Sequence, residues 1–99
     1  MPKYETDLRR AIISAYQQRY WLVMNMAPGP GGPPKGCPDL LCVGRQGRTV
    51  WIEVKREQDG RLAPLQRHYG KILSALGHRV IVADTIEAAI APLREEEDD

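Results

Sequence analysis

Hydrophobic and polar residues alternate most regularly over residues 49–55, where Val50, Ile52 and Val54 are separated by more polar or amphipathic side chains. A period of two predicts a half-buried β-strand. Apolar runs bounded by turn residues predict the remaining strands, over residues 21–26, 40–43 and 79–83. Apolar residues at helical spacing predict helices over residues 4–20, 64–76 and 86–93. The predicted order is therefore αβββαβα, which indicates an α/β protein.

The strand over residues 49–55 carries two charged residues, Glu53 and Lys55, on the same face as Trp51. A carboxylate and an ammonium group on an inner strand are costly to desolvate unless each has a partner or a function. Same-face Glu/Lys pairs also occur on solvated sheets without any function. The choice between these interpretations depends on Pro38-Asp39, which opens the preceding apolar run fourteen residues before Glu53.

The two middle strands are joined by only five residues, 44–48, and this short connection predicts an antiparallel hairpin. Asp39 precedes the first of these strands and Glu53 lies near the end of the second, so the pairing brings Asp39, Glu53 and Lys55 together. Two carboxylates with room for further ligands suit a hard divalent cation such as Mg²⁺, which also binds substrate phosphate. A lysine beside that ion can stabilise the negative charge on the oxygens of the phosphorane. These residues predict a phosphodiester-cleaving site.

Size and composition indicate one globular domain. The chain has 99 residues, 42% of them hydrophobic, with no apolar run of membrane-spanning length and no signal peptide, so we expect a cytoplasmic protein. The net charge is +1, but residues 95–99 are all acidic and residues 1–94 carry 14 basic and 8 acidic side chains, a net charge of +6. We expect a domain over residues 1–94 that binds a polyanion, followed by a disordered acidic tail over 95–99.

Residues 27–36 are rich in proline and glycine and separate the first two predicted strands. Such a composition is incompatible with a helix or a central strand. We expect a mobile loop over a functional face, and a plain linker is the alternative.

Three short motifs together resemble a known nuclease family. Pro38-Asp39 followed by Glu53-Val54-Lys55 resembles the PD-(D/E)xK nuclease superfamily, and the motifs Gly36-Cys37-Pro38-Asp39, Ile52-Glu53-Val54-Lys55 and Gly60-Arg61-Leu62 with Pro64 and Gln66 are similar to those of the VRR-type nuclease (VRR-NUC) family. The likeness covers nearly the whole chain, from Glu5 to the last strand, although no literal Val-Arg-Arg occurs in it. The resemblance implies a restriction-endonuclease-like core with a mixed central sheet flanked by helices. It also implies Mg²⁺- or Mn²⁺-dependent cleavage of DNA.

The same resemblance implies roles for six residues. Asp39, Glu53 and the Val54 carbonyl would bind metal, Glu5 would be a direct or water-mediated ligand, Lys55 would be the catalytic lysine, and Gln66 would lie beside the site. For Glu5, a position at the head of a helix, complementing the helix dipole, is a sufficient structural explanation. Gln66 also precedes Tyr69 and Leu73 at helical spacing, on the stripe expected to face the sheet, where an amide needs a hydrogen-bond partner. A purely structural glutamine is the alternative.

Basic side chains flank the predicted site and could bind phosphate groups: Lys35, Arg56, Arg61 and Arg67. Each could equally be a solvated surface charge. Lys35 is the best candidate because it lies four residues before Asp39.

The leading functional hypothesis is an endonuclease that prefers branched DNA. Single-domain members of the family look like four-way (Holliday) junction resolvases, and a chain with one active site needs a second copy to make paired incisions, so we expect a homodimer. A flap or nicking nuclease of phage or DNA-repair machinery is the alternative enzyme. A noncatalytic DNA-binding module is the alternative of a different class.

Overall fold

The structure, a computed structural model, describes residues 4–26, 30–55 and 62–97. Within these ranges the chain forms helices and strands in the predicted order, with the last helix divided in two. The elements are α1 (Tyr4–Gln18), β1 (Leu22–Asn25), β2 (Leu40–Val43), β3 (Thr49–Val54), α2 (Pro64–Ala75), β4 (Arg79–Ala83), α3 (Ile86–Ala89) and α4 (Ala91–Glu97). A short 3₁₀ turn, Arg45–Gly47, connects β2 to β3.

The four strands form one mixed sheet in the order β1-β2-β3-β4. Strands β1 and β2 are antiparallel, as are β2 and β3, with Leu40 opposite Ile52. Strand β4 runs parallel to β3, with Glu53 opposite Val82, because α2 carries the chain back across the sheet. The predicted hairpin and the predicted mixed sheet are both confirmed.

The hydrophobic core lies between α1 and one face of the sheet. Leu8, Ile12 and Tyr16 recur along the inner face of α1. They are buried against the strand residues on the face of the sheet that α1 covers: Leu40, Cys42, Val50, Ile52 and Val54. On the other face of the sheet, α2 has no fully buried residue. The two faces therefore differ, and α2 covers the face that carries Glu53.

Helix α1 ends two residues earlier than predicted, at Gln18. Tyr20 adopts a positive φ of 66°, and the Trp21 amide bonds back to the Tyr16 carbonyl at 3.1 Å. This reversal sends the chain directly into β1. It also places Trp21 edge-on to Tyr16, with ring centroids 5.3 Å apart.

The C-terminal region differs from the prediction in two respects. Pro92, expected to lie at the end of a single helix, is the second residue of α4, where its missing N–H removes no helical hydrogen bond. Helix α4 then continues through Glu97, so the expectation of a disordered tail beginning at residue 95 is wrong for residues 95–97. Glu95 pairs with Arg79 at 2.6 Å, and Glu96 pairs with Arg48 and accepts from the indole N–H of Trp21 at 3.2 Å.

The loop before β2 lies directly against the start of α2. Of the predicted loop, residues 27–29 lie outside the described residues, and residues 30–36 form turns and bends. Gly36 has a φ of +99°, and a β-carbon added there would come within 2.7 Å of the Leu65 Cβ and 2.9 Å of the Leu65 backbone carbon. Glycine is required at this position by both its backbone conformation and the close approach of α2.

Replacing Gly36 by alanine tests this contact. We expect Gly36→Ala to lower the free energy of unfolding by about 1–2 kcal/mol for the left-handed backbone and by about a further 1–3 kcal/mol for the overlap with Leu65. Gly31→Ala is the matched control, because Gly31 has a φ of +76° but nothing within 4 Å of the added carbon. Equal losses for the two variants in urea denaturation would show that the contact with α2 contributes nothing.

Candidate active site

Glu53, near the end of β3, is the buried charged residue at the centre of the candidate site. It lies on the sheet face covered by α2, and only 5% of its surface is exposed. Its Oε2 accepts a hydrogen bond from the Gln66 amide nitrogen at 3.0 Å and lies 3.9 Å from the Lys55 Nζ. The strand alternation that placed Glu53 and Lys55 on one face in the sequence is therefore present in the structure.

Gln66, in the first turn of α2, connects Glu53 of β3 to Lys55, which directly follows the strand. Its Oε1 accepts from the Lys55 Nζ at 3.0 Å and from the Ala63 backbone N–H at 2.9 Å, while its Nε2 donates to Glu53. The amide thus has a partner on both sides, and the Ala63 contact satisfies a donor at the helix N-terminus. The prediction that Gln66 faces the sheet is confirmed.

Asp39, immediately before β2, is held at the end of the sheet by the backbone of β3. Its Oδ2 accepts the Val54 N–H at 3.0 Å, just beyond the last β2–β3 pair, Leu40 opposite Ile52. The N–H and C=O of a strand residue point to the same edge, so the Val54 carbonyl is directed to the Asp39 side of β3. The hairpin therefore brings Asp39 to the end of β3 that carries Glu53, as its short turn predicted, and places it against the Val54 backbone.

Helix α1 adds two more charged residues to this end of the sheet. The Arg9 guanidinium lies 3.3 Å from Asp39 Oδ2 and 3.9 Å from Glu5 Oε1. Glu5 is thus adjacent to the site, with Arg9 between it and Asp39. The sequence analysis did not identify Arg9. The signal available for it was the i,i+4 spacing from Glu5, which makes the two side chains neighbours on a helix but does not identify Asp39 as a further partner.

One oxygen of the site suits a metal ion. Glu53 Oε1 is buried and accepts no hydrogen bond from a donor within the described part of the chain, which is costly whenever the carboxyl group is ionised. A hard cation bound by Glu53, Asp39 and the Val54 carbonyl would satisfy it. The described residues contain no ready cluster of three or more His, Cys, Asp or Glu side chains, so water and substrate oxygens would complete the coordination, as is usual for Mg²⁺.

A solved structure described as "VRR_NUC domain" has the same arrangement of helices and strands. The match has a TM-score of 0.77 and covers 92% of this chain and 95% of that chain, at 20% sequence identity. This chain has the VRR_NUC domain fold. The predicted restriction-endonuclease-like architecture is therefore confirmed. No family model and no curated protein matches the sequence.

Two of the remaining predicted residues belong to the part of the chain that the structure describes, and both are exposed. Lys35 is exposed on the turn before β2, and Arg67 is exposed on α2, where it donates to the Leu62 carbonyl at 3.3 Å. Arg56 and Arg61 lie outside the described residues. Among the described helices, none has the length and apolar character to cross a membrane.

The electrostatics of Glu53 follow from its position in this fold. Burial, reinforced by the neighbouring Asp39 carboxylate, raises the pKa of Glu53 to about 8, and the Lys55 ammonium partly offsets that rise. Without another cation nearby, the carboxyl group is therefore largely protonated at neutral pH. A bound divalent cation would favour the carboxylate, so metal binding at this site releases a proton.

This shift predicts how stability depends on pH. The folded protein keeps a proton on Glu53 between about pH 4.5 and 8, whereas the unfolded chain has released it. Because the folded state binds more protons in this window, its free energy of unfolding falls as the pH rises. We expect the melting temperature of the wild type, measured in EDTA, to decrease between about pH 5 and about pH 9, and Glu53→Gln to remove most of that decrease.

Glu87→Gln, which neutralises an exposed carboxylate on α3, is the matched control and keeps the wild-type slope. A Glu53→Gln variant with the same pH dependence as the wild type would contradict the raised pKa.

Proposed function

We propose that this chain is a metal-dependent endodeoxyribonuclease of the VRR-NUC family that hydrolyses phosphodiester bonds of DNA. The observation that supports this most directly is the joined set of Asp39, Glu53, Lys55 and Gln66 at the end of the hairpin, with one buried Glu53 oxygen that lacks a partner within the described chain. The VRR_NUC fold supports the same assignment. Together, the site and the fold support hydrolysis of phosphate esters.

The acidic residues would hold the metal. Asp39, Glu53 and the Val54 carbonyl are the direct ligands in this proposal, and Glu5 binds directly or through water. Mg²⁺ or Mn²⁺ bound there would act as a Lewis acid on a phosphate oxygen and lower the pKa of a water molecule. The chain supplies the geometry: the backbone of β3 fixes Asp39, and the amide of Gln66 fixes Glu53.

Lys55 is the proposed catalytic cation. Its side chain is only 19% exposed, and its Nζ is directed by the Gln66 Oε1 at 3.0 Å rather than by a close ion pair with Glu53. An ammonium group held in this way can orient the attacking water and stabilise the negative charge that develops on the phosphoryl oxygens. Gln66 positions both partners, because one amide group contacts Lys55 and Glu53 together.

Basic side chains around the site would bind the DNA backbone. Lys35 and Arg67 are exposed, on the loop before β2 and on α2, and the sequence places Arg56 and Arg61 in the connection between β3 and α2. The net charge of +6 over residues 1–94 favours a polyanionic substrate. These contacts carry no base recognition, so we expect little sequence preference.

Two variants distinguish the metal-binding role of Asp39 from the catalytic role of Lys55. Asp39→Asn keeps an acceptor for the Val54 N–H and removes the charge, so we expect loss of metal binding and of cleavage, with DNA binding unchanged or tighter. Lys55→Ala should retain metal binding while lowering the cleavage rate by at least about a hundredfold. Calorimetric Mn²⁺ titration and single-turnover cleavage measure the two effects.

Arg45→Ala is the control for the loss of a cation, since Arg45 is exposed in the turn at the opposite end of the hairpin, and it should cleave at the wild-type rate. Near-normal cleavage by Lys55→Ala would refute its catalytic role. Cleavage unaffected by Asp39→Asn, together with no metal binding by the wild type, would favour a noncatalytic DNA-binding module.

For the substrate, we propose branched DNA cut by a homodimer in the manner of a four-way-junction resolvase. Each chain of this size presents one candidate site, so symmetric cleavage of two strands requires two copies. The test compares Mg²⁺-dependent cleavage of a four-way junction, a 5′ flap, a splayed arm and a linear duplex, with sedimentation velocity on the same samples.

Preferential junction cleavage by a dimer is the expected result. Preference for the flap or for nicking a duplex would favour the alternative enzyme, a component of phage or repair machinery. A protein that sediments only as a monomer, with and without DNA, would exclude the resolvase proposal.

A further inference from the structure

We infer that Arg9 is a built-in counter-ion of the metal-binding carboxylates, which a divalent cation must displace from Asp39 when it binds. This inference rests on the proposed function, because it concerns the same metal site. Arg9 belongs to α1 and to none of the nuclease motifs found in the sequence, so its role as a counter-ion is additional to theirs.

The contact geometry is the first support. A single guanidinium nitrogen of Arg9, Nη2, is 3.3 Å from Asp39 Oδ2 and 3.9 Å from Glu5 Oε1. The two carboxylates come from different elements, one from the first turn of α1 and one from the residue before β2. Arg9 therefore lies where a cation shared by Glu5 and Asp39 would be placed, and the two cations compete for the same oxygens.

The charge balance of the site is the second support. The site brings together three acidic side chains, Glu5, Asp39 and Glu53, and two cations, Lys55 and Arg9. Lys55 contacts Glu53, and Arg9 contacts the other two acids. Without Arg9, Lys55 would still contact Glu53, but Glu5 and Asp39 would lose the cation that pairs with both of them. Arg9 thus stabilises the folded protein while it weakens the binding of a metal ion.

The anchoring of the partners shows that Arg9 can be displaced without disordering the site. The Asp39 Oδ2 that contacts Arg9 also accepts the Val54 N–H at 3.0 Å, and this backbone hydrogen bond holds Asp39 in place when Arg9 leaves. The Arg9 side chain is 28% exposed, so its head group has access to solvent once it leaves Asp39. A long, partly exposed arginine can exchange one partner for another at small cost, because such ion pairs contribute little individually.

The variant Arg9→Gln tests the inference through two quantities that should change in opposite directions. In EDTA its melting temperature should be lower than that of the wild type, because the acidic side chains lose their counter-ion. Its affinity for Mn²⁺ or Mg²⁺ alone, measured by isothermal titration calorimetry at physiological ionic strength, should be about two- to fivefold higher. Arg9→Lys, which keeps the charge, should give an affinity nearer to the wild type.

Arg10→Gln is the matched control, because Arg10 is the next residue of α1 and is exposed. Any general effect of removing one positive charge appears in both variants, and the inference requires a larger change in metal affinity for Arg9→Gln. Equal changes in the two variants, or weaker metal binding by Arg9→Gln, would overturn it while leaving the proposed function intact. No metal binding by the wild type would overturn both.

Discussion

The buried carboxylate of Glu53 is the constraint on which the arrangement of this molecule depends. An acidic side chain with 5% exposure is tolerated only where other groups compensate for its desolvation. Two partners come from separate parts of the chain: Gln66 from α2, and Lys55 from the residue after β3. In addition, the raised pKa of Glu53 keeps a proton on the carboxyl group at neutral pH. One oxygen still lacks a partner among the described residues, and this is the oxygen a metal ion would complete.

The scaffold around Glu53 is arranged so that these partners meet. The β2–β3 register sets Leu40 opposite Ile52, which leaves Asp39 just beyond the ladder and free to accept the Val54 N–H. The loop before β2 approaches α2 closely because Gly36 has no side chain, and this brings the Asp39 segment next to the helix that carries Gln66. The packing of the loop against α2 and the arrangement of the candidate site therefore depend on the same close contacts.

The two ends of the sheet have different roles. At the end that carries Asp39 and Glu53, several charged side chains lie close together, and one buried oxygen of Glu53 lacks a partner among the described residues. At the opposite end, Glu95 and Glu96 of α4 pair with Arg79 and Arg48, and Glu96 also accepts from the indole N–H of Trp21. Tyr16 donates a buried hydrogen bond of 2.6 Å to the Ala89 carbonyl and so joins α1 to α3. Part of the C-terminal acidic run therefore contributes to the fold, away from the candidate site.

The sequence by itself determined the strands, the hairpin and the central chemistry, because these depend on short-range periodicity. The alternation over residues 49–55 places Glu53 and Lys55 on one face, and the five-residue turn brings Asp39 to them. Helical spacing was sufficient to direct Gln66 towards the sheet. The VRR-NUC motifs indicated the fold, which the comparison with a solved structure confirmed.

The tertiary structure alone decided which groups compensate one another. Arg9 pairs with Asp39 across 30 residues of sequence. Glu95 and Glu96 lie in α4, where Arg79, Arg48 and Trp21 contact them. Likewise, Gln66 connects Lys55 to Glu53, a contact that same-face spacing alone does not specify. Periodicity defines the face on which a side chain lies. The choice of partner depends on distances between elements, which only the packed chain sets.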